Sequence, residues 1–79
     1  MVEVYSADWC AFCHAAKQYF DKLGVKYTDK NVEHDPQFLN ESVQKSGQMG
    51  IPVIDIDGTI IVGFNRPAID EALKSHKLV

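Results

Sequence analysis

The order of elements over residues 2–32 constrains this chain more than any other feature. Val2-Glu3-Val4-Tyr5 alternates apolar and polar residues and reads as a short strand. Ser6-Ala7-Asp8-Trp9 breaks the alternation. From Phe12 the apolar residues fall at Phe12, Ala15, Ala16, Tyr19, Phe20 and Leu23, the i, i+3, i+4, i+7, i+8, i+11 series of an amphipathic helix. Gly24 comes next, where a C′ glycine ends a helix. Val25 to Val32 carries Val, Tyr, Thr and Val between polar residues and reads as a second strand. Two strands joined through a helix imply a right-handed parallel crossover, because a parallel pair cannot be closed by a tight hairpin.

The remainder completes a sheet. Asp35-Pro36 is a capping residue with proline at the first helical position. Phe38, Leu39 and Val43 give that helix a modest apolar face, and Gly47 ends it. Val53–Ile56 and Thr59–Val62 are β-rich runs around Asp57-Gly58, a two-residue hairpin signal. Asn65 can cap a last helix with Pro67 early and Ile69, Ala72 and Leu73 inward. The order β-α-β-α-β-β-α predicts an α/β fold, a four-stranded mixed sheet flanked by three helices. In 79 residues this is one domain over 1–79.

Charge and hydropathy narrow the function. A net charge of −3 without a Lys/Arg cluster argues against nucleic acid. No apolar run approaches the ~18 residues of a membrane span. The first residues enter a strand pattern rather than a secretory signal, so the expected location is cytoplasmic. Structural disulfides are rare there, and a C-x-x-C is more often catalytic or metal-binding.

Cys10-Ala11-Phe12-Cys13-His14 matches three chemistries: a dithiol/disulfide pair, half of a metal site, and thioether attachment of a c-type haem. Cys10 falls just before the first helix and Cys13 one turn inside it. That spacing brings the sulfurs within bonding range. The helix N-terminus favours thiolate at Cys10, but a dipole effect of ~0.3–1 kcal/mol is worth less than about one pKa unit. Direct N–H···S bonds must supply any larger shift. In dithiol exchange, an exposed Cys10 is the nucleophile and a buried Cys13 the resolving thiol. Haem would use His14 as proximal and Met49 as distal ligand. Zinc needs four ligands in a structural site, and His14, His34 and His76 are scattered. An inert buried pair is the bland alternative. Trp9 and Phe12 suit either the core or a partner-contact rim. Ile51-Pro52 is either an ordinary trans proline entering a strand or a cis proline that leaves the Ile51 main chain free for an extended peptide.

With "VEVYSADWCAFCHAAKQYF", "SGQMGIPVIDIDG" and "VGFNRPAIDEAL" in this order and spacing, the chain resembles the glutaredoxins of the thioredoxin superfamily, over essentially its whole length. It is most similar to the small bacterial glutaredoxin-like redoxins. The resemblance implies a thioredoxin fold with strand order 2-1-3-4, a cis Pro52, and Cys10 as nucleophile. It implies thiol–disulfide oxidoreduction with no permanent cofactor and glutathione as reductant or co-substrate. Glutathione would lie against Ile51 and Pro52, with its γ-glutamyl end at Gly63, Phe64 and Asn65 and with Trp9 and Phe12 beside it. Implied partners are disulfide-bearing proteins, ribonucleotide reductase among them, with the protein itself a monomer. Glutathione-assisted carriage of a [2Fe–2S] cluster is the alternative function within the resemblance. Several positions depart from the family pattern. Ala11 and Phe12 replace a Pro-Tyr pair, Ala7 stands where a lysine is common, Val62-Gly63 replaces Gly-Gly, and Asn65 and Arg66 replace acidic residues. Trp9 is similar to the thioredoxin pattern, which makes a thioredoxin reductase the alternative reductant.

Overall fold

The computed structural model describes residues 1–79. Its elements keep the expected order: β1 (Val2–Ser6), α1 (Ala11–Leu23), β2 (Thr28–Asn31), α2 (Pro36–Ser46), β3 (Val53–Ile56), β4 (Thr59–Val62) and α3 (Arg66–Ser75). The sheet order is β2-β1-β3-β4, parallel between β1 and β2 and antiparallel elsewhere. This is the thioredoxin fold.

Alternation along the strands divides the sheet into two unlike faces. Val2 and Val4 pair with Ile56 and Ile54, and Ile54 pairs with Ile61, so one face carries a continuous apolar row. Ala16 and Phe20 of α1 and Ile69, Ala72 and Leu73 of α3 cover that row and form the core with it. Burial of each large side chain there contributes about 1.5–3 kcal/mol. Phe12 and Leu23 are exposed instead of joining the buried stripe. Both lie in end turns of α1, and the sheet supplies no cover for them. Gly24 takes φ 73°, and the Val25 N–H returns to the Phe20 carbonyl at 2.9 Å, closing α1 as expected. Val25 thereby belongs to the helix cap. The second strand is shorter than its sequence pattern for this reason, pairing from Thr28 opposite Glu3 to Asn31 opposite Ser6.

The other face meets α2 through charge. Lys30 Nζ lies 2.6 Å from Glu3 and 3.0 Å from Glu41. Lys45 Nζ lies 3.1 Å from Glu3 and 2.7 Å from Asp55. Tyr5 donates to Glu41 at 2.8 Å, and both ammonium groups sit over its ring. The hydrogen bond from Lys30 holds the Glu3 carboxyl below its usual range. Burial pushes the Asp55 carboxyl up, but the Lys45 and Gly58 donors outweigh it and leave it lowered. Burial likewise pushes Lys45 down, and its bonds to Asp55, Tyr5 and Glu3 raise it on balance.

These shifts set the sign of the pH dependence. Lowered carboxylates add stability above their unfolded pKa of about 4, lost as pH falls through the folded value. Raised lysines add stability below about pH 10.4, lost as pH rises through the folded value. Stability should therefore hold between about pH 5 and pH 10 and fall on the acid side. Lys45→Met should cost about 1–3 kcal/mol at pH 7 and make the acid limb shallower. Urea unfolding of both proteins at pH 7 and pH 3 checks this, and equal losses at both pH values would contradict it.

Candidate active site

The apolar core stops where β1 ends, and a smaller buried group begins there: Ala7, Cys10 and Cys13, with Ile51 packed against them. Cys10 is the N-cap of α1, with extended backbone (φ −87°, ψ 106°). Its Sγ accepts the Cys13 N–H at 3.1 Å, satisfying one of the free donors of the first turn. The two sulfurs form a disulfide across a Cα–Cα separation of 5.2 Å. Cys10 is 5% exposed and Cys13 0%. Both cysteines are buried, so the expected exposed Cys10 is not found: Ala7 and Ile51 pack against it in the oxidised protein.

Ile51-Pro52 is cis. Neither the N–H nor the C=O of Ile51 has a hydrogen-bond partner within the chain, and Ile51 precedes the first residue of β3. The Pro52 carbonyl accepts the Gly63 N–H at 2.8 Å, and Gly63 has φ 83°. That bond brings Gly63 and Phe64 to the same end of the sheet as Pro52. Phe64 meets the Tyr19 ring edge-on at 5.9 Å. Asn65 caps α3, its Oδ1 accepting the Ala68 N–H at 3.3 Å.

Trp9, Phe12 and Met49 project around this end, 70%, 67% and 72% exposed. Trp9 and Phe12 are therefore rim residues, not core. A polar network with no signal in the sequence holds the turn that carries Trp9. One Glu33 carboxylate accepts from the Trp9 indole at 3.0 Å and from the Asp8 N–H at 3.3 Å. The Glu33 N–H goes to Asn31 Oδ1 at 2.9 Å, and Asn31 Nδ2 goes to Asp8 Oδ1 at 2.9 Å. His14 Nε2 donates to the Asp8 carbonyl at 2.8 Å, which ties the turn to α1 as well. Lys17 is engaged by Asp29 at 3.0 Å. No group of three or more His, Cys, Asp or Glu side chains converges as a metal-binding set. His34 lies 3.5 Å from the Asp8 carboxylate, and His76 is hydrogen-bonded to Thr59.

The Glutaredoxin family model matches residues 2–61. A glutaredoxin-like 8.6 kDa protein of the rubredoxin operon of Clostridium pasteurianum is 39% identical over 74 residues, covering 94% of this chain and 99% of its own length. Glutaredoxin 3 of Escherichia coli is 31% identical over 80 residues, covering 92% and 96%. Among solved structures, a thioredoxin-like protein mutant superposes with TM-score 0.87 at 25% identity, covering 92% of this chain and 94% of that one. A buckwheat glutaredoxin–glutathione complex superposes with TM-score 0.73 at 26% identity, covering 98% and 71%. The chain belongs to the glutaredoxin family. It is a thiol–disulfide oxidoreductase of that family, and Cys10-Ala11-Phe12-Cys13 is its cysteine pair.

Trp9 is the single tryptophan, so its fluorescence reports on the rim directly. Glu33→Ala should remove both acceptors, lower the fluorescence anisotropy of Trp9 and increase its quenching by acrylamide. The far-ultraviolet circular dichroism should not change. Glu33→Gln should fall between, since one amide oxygen can replace the carboxylate at only one of two donors. Unchanged anisotropy in Glu33→Ala would contradict a restraining role for this carboxylate.

Proposed function

We propose that this glutaredoxin-family chain reduces disulfides in proteins and in glutathione mixed disulfides, with Cys10 as nucleophile, Cys13 as resolving thiol and glutathione as the reductant. The observation that carries the division of roles is the hydrogen bond from the Cys13 N–H to Cys10 Sγ. An N–H placed at this sulfur is a donor for the thiolate that opening of the disulfide releases there. Cys13, completely buried behind it, has no route to an external disulfide.

The reaction balances as two exchanges. Thiolate Cys10 attacks one sulfur of the substrate disulfide, forms a mixed disulfide and expels the other substrate sulfur as a thiolate, which takes up a proton. Cys13 loses its proton and attacks Cys10 Sγ, which closes the intramolecular disulfide and releases the second substrate thiol. Two electrons pass to the substrate. Two glutathione molecules then return the pair to the dithiol: one opens the disulfide as a mixed disulfide on Cys10, and the next removes the first as oxidised glutathione.

Recognition rests on groups already described. The unpaired Ile51 N–H and C=O suit antiparallel pairing with an extended peptide, glutathione included. Beside the cis Pro52, the segment Gly63, Phe64 and Asn65 leads into α3, whose first turn holds no acidic residue. A carboxylate at the γ-glutamyl end of glutathione is complementary to such a helix start. Trp9 and Phe12 supply apolar contact with a protein substrate. The family resemblance supports ribonucleotide reductase as one such substrate and a cytoplasmic setting, and no helix is long and apolar enough to cross a membrane.

Substitution separates the roles. Cys10→Ser should reduce disulfide reduction to the uncatalysed background. Cys13→Ser should keep turnover on glutathione mixed disulfides, which need only Cys10, while losing the dithiol reaction with protein disulfides. Equal and complete loss in both variants would sink the assignment. The reductant is tested by incubating the oxidised protein with glutathione and, separately, with NADPH and a thioredoxin reductase, then counting free thiols. Glutathione alone should yield the dithiol, and reduction by the NADPH system only would overturn the glutathione part.

A further inference from the structure

We infer that Gln48 is a positioning residue for the substrate-binding main chain at Ile51, a role that rests on the proposed peptide pairing. Gln48 lies between the end of α2 and the cis proline, in a segment with no regular pairing of its own. Its side-chain amide engages both main-chain groups of Gly50. Oε1 accepts the Gly50 N–H, and Nε2 donates to the Gly50 carbonyl at 2.9 Å. The amide thus pairs with Gly50 as a neighbouring strand would, donor to acceptor and acceptor to donor. Nε2 also donates to Ser46 Oγ at 3.0 Å, and Ser46 Oγ donates to the Ser42 carbonyl at 2.6 Å. The clamp is therefore anchored to the last turn of α2.

Gly50 leaves room for this contact. A Cβ added there would lie 2.6 Å from Gln48 Oε1, and the backbone of Gly50 is not in the left-handed region. What a larger residue would meet at this position is the Gln48 side chain, not a constraint from its own φ. A side-chain tip is also easily moved, so an alanine at position 50 would displace the Gln48 amide and leave the fold intact.

The clamp matters because it adjoins Ile51. That residue packs against Ala7, Cys10 and Cys13 while its own N–H and C=O stay unpaired. On its C-terminal side, the Pro52 carbonyl is tied to the Gly63 N–H. On its N-terminal side, the tie is Gln48 on Gly50. A residue with unpaired main-chain groups, held from both sides, meets an incoming strand without first losing conformational freedom, and that lowers the entropic cost of binding.

The test compares reduced wild type with Gln48→Ala, Gly50→Ala and the double variant in single-turnover stopped flow. One probe is a short extended peptide whose cysteine is disulfide-bonded to thionitrobenzoate. The other is 5,5′-dithiobis(2-nitrobenzoate), which offers no peptide main chain. Gln48→Ala should raise the half-saturating peptide concentration about 3- to 10-fold with the limiting rate unchanged. Its reaction with the small aromatic disulfide should match wild type. Gly50→Ala should reproduce this effect, and the double variant should be no worse than either single one, because both changes remove the same contact. Hydrogen exchange at the amide of residue 50, relative to its intrinsic rate, should quicken in all three variants. Unchanged half-saturation in Gln48→Ala, or additive effects in the double variant, would overturn the role of Gln48. A wild-type protein that reduces the small disulfide but never saturates with peptide would instead overturn the peptide pairing.

Discussion

The pairing of β1 with β3 is the constraint on which the site depends. β1 is bonded on both edges, parallel to β2 and antiparallel to β3, so its position is fixed from two sides. The antiparallel register sets Tyr5 opposite Val53. Chain leaving the end of β1 therefore passes beside chain entering β3. Ala7 and Cys10 on the first segment and Ile51 on the second pack together for that reason, although some forty residues separate them in sequence. A slip of one residue between them would turn the core row of one strand toward α2 and would shift Ile51 relative to the cysteines. The apolar rows of β1 and β3 thus specify the geometry of the disulfide site as well as the stability of the fold.

The two faces of the sheet do different work. Most large buried side chains lie between the sheet and the pair α1 and α3, where packing locks the helix that begins at Cys10. The α2 face instead relies on Lys30 and Lys45 bridging Glu3, Glu41 and Asp55, with Tyr5 between them. Ion pairs of this kind contribute less than equal apolar burial, because desolvation offsets much of the attraction. They do impose register, since each ammonium has defined partners on particular strands. Gln48 extends from the end of α2, so the charge network that seats α2 also locates the segment leading to the cis proline.

How much of this is legible in the sequence depends on the kind of signal each part leaves. The hairpin Val53–Ile56 and Thr59–Val62 is readable to the residue, because Asp57 and Gly58 carry the positive φ values its turn requires. α1 and its glycine end are readable from the 3.6-residue period. The second strand is overread, since Val25 looks like a strand residue yet serves the end of α1. Phe12 fits the helical period but lies beyond the sheet, and period alone cannot register where a neighbouring layer stops. The cysteine pair and Pro52 stand out by residue type, and the family pattern supplies their proximity. Glu33, Asn31 and Gln48 leave no such trace. Their bonds tie loop groups, side-chain and main-chain, at and beyond the strand ends, and no periodicity distinguishes a polar residue that clamps from one that is solvated. The charged α2 face is hidden by the same ambiguity, because alternating polar residues in a strand look alike whether water or paired charges meet them.

The location of the polar clamps explains the character of the rim. Glu33 and Asn31 are occupied with the turn that carries Trp9, Lys17 with Asp29, and Gln48 with Gly50. Groups already committed to bonds within the chain have less capacity left for a partner. What remains available around the Cys10–Cys13 disulfide is the unpaired peptide unit of Ile51 and the exposed apolar surface of Trp9, Phe12 and Met49. Main-chain pairing is indifferent to a partner's side chains, and apolar contact is tolerant of their details. If partners pair at Ile51 as proposed, these polar residues contribute by holding the Trp9 turn and the segment before Ile51 in place.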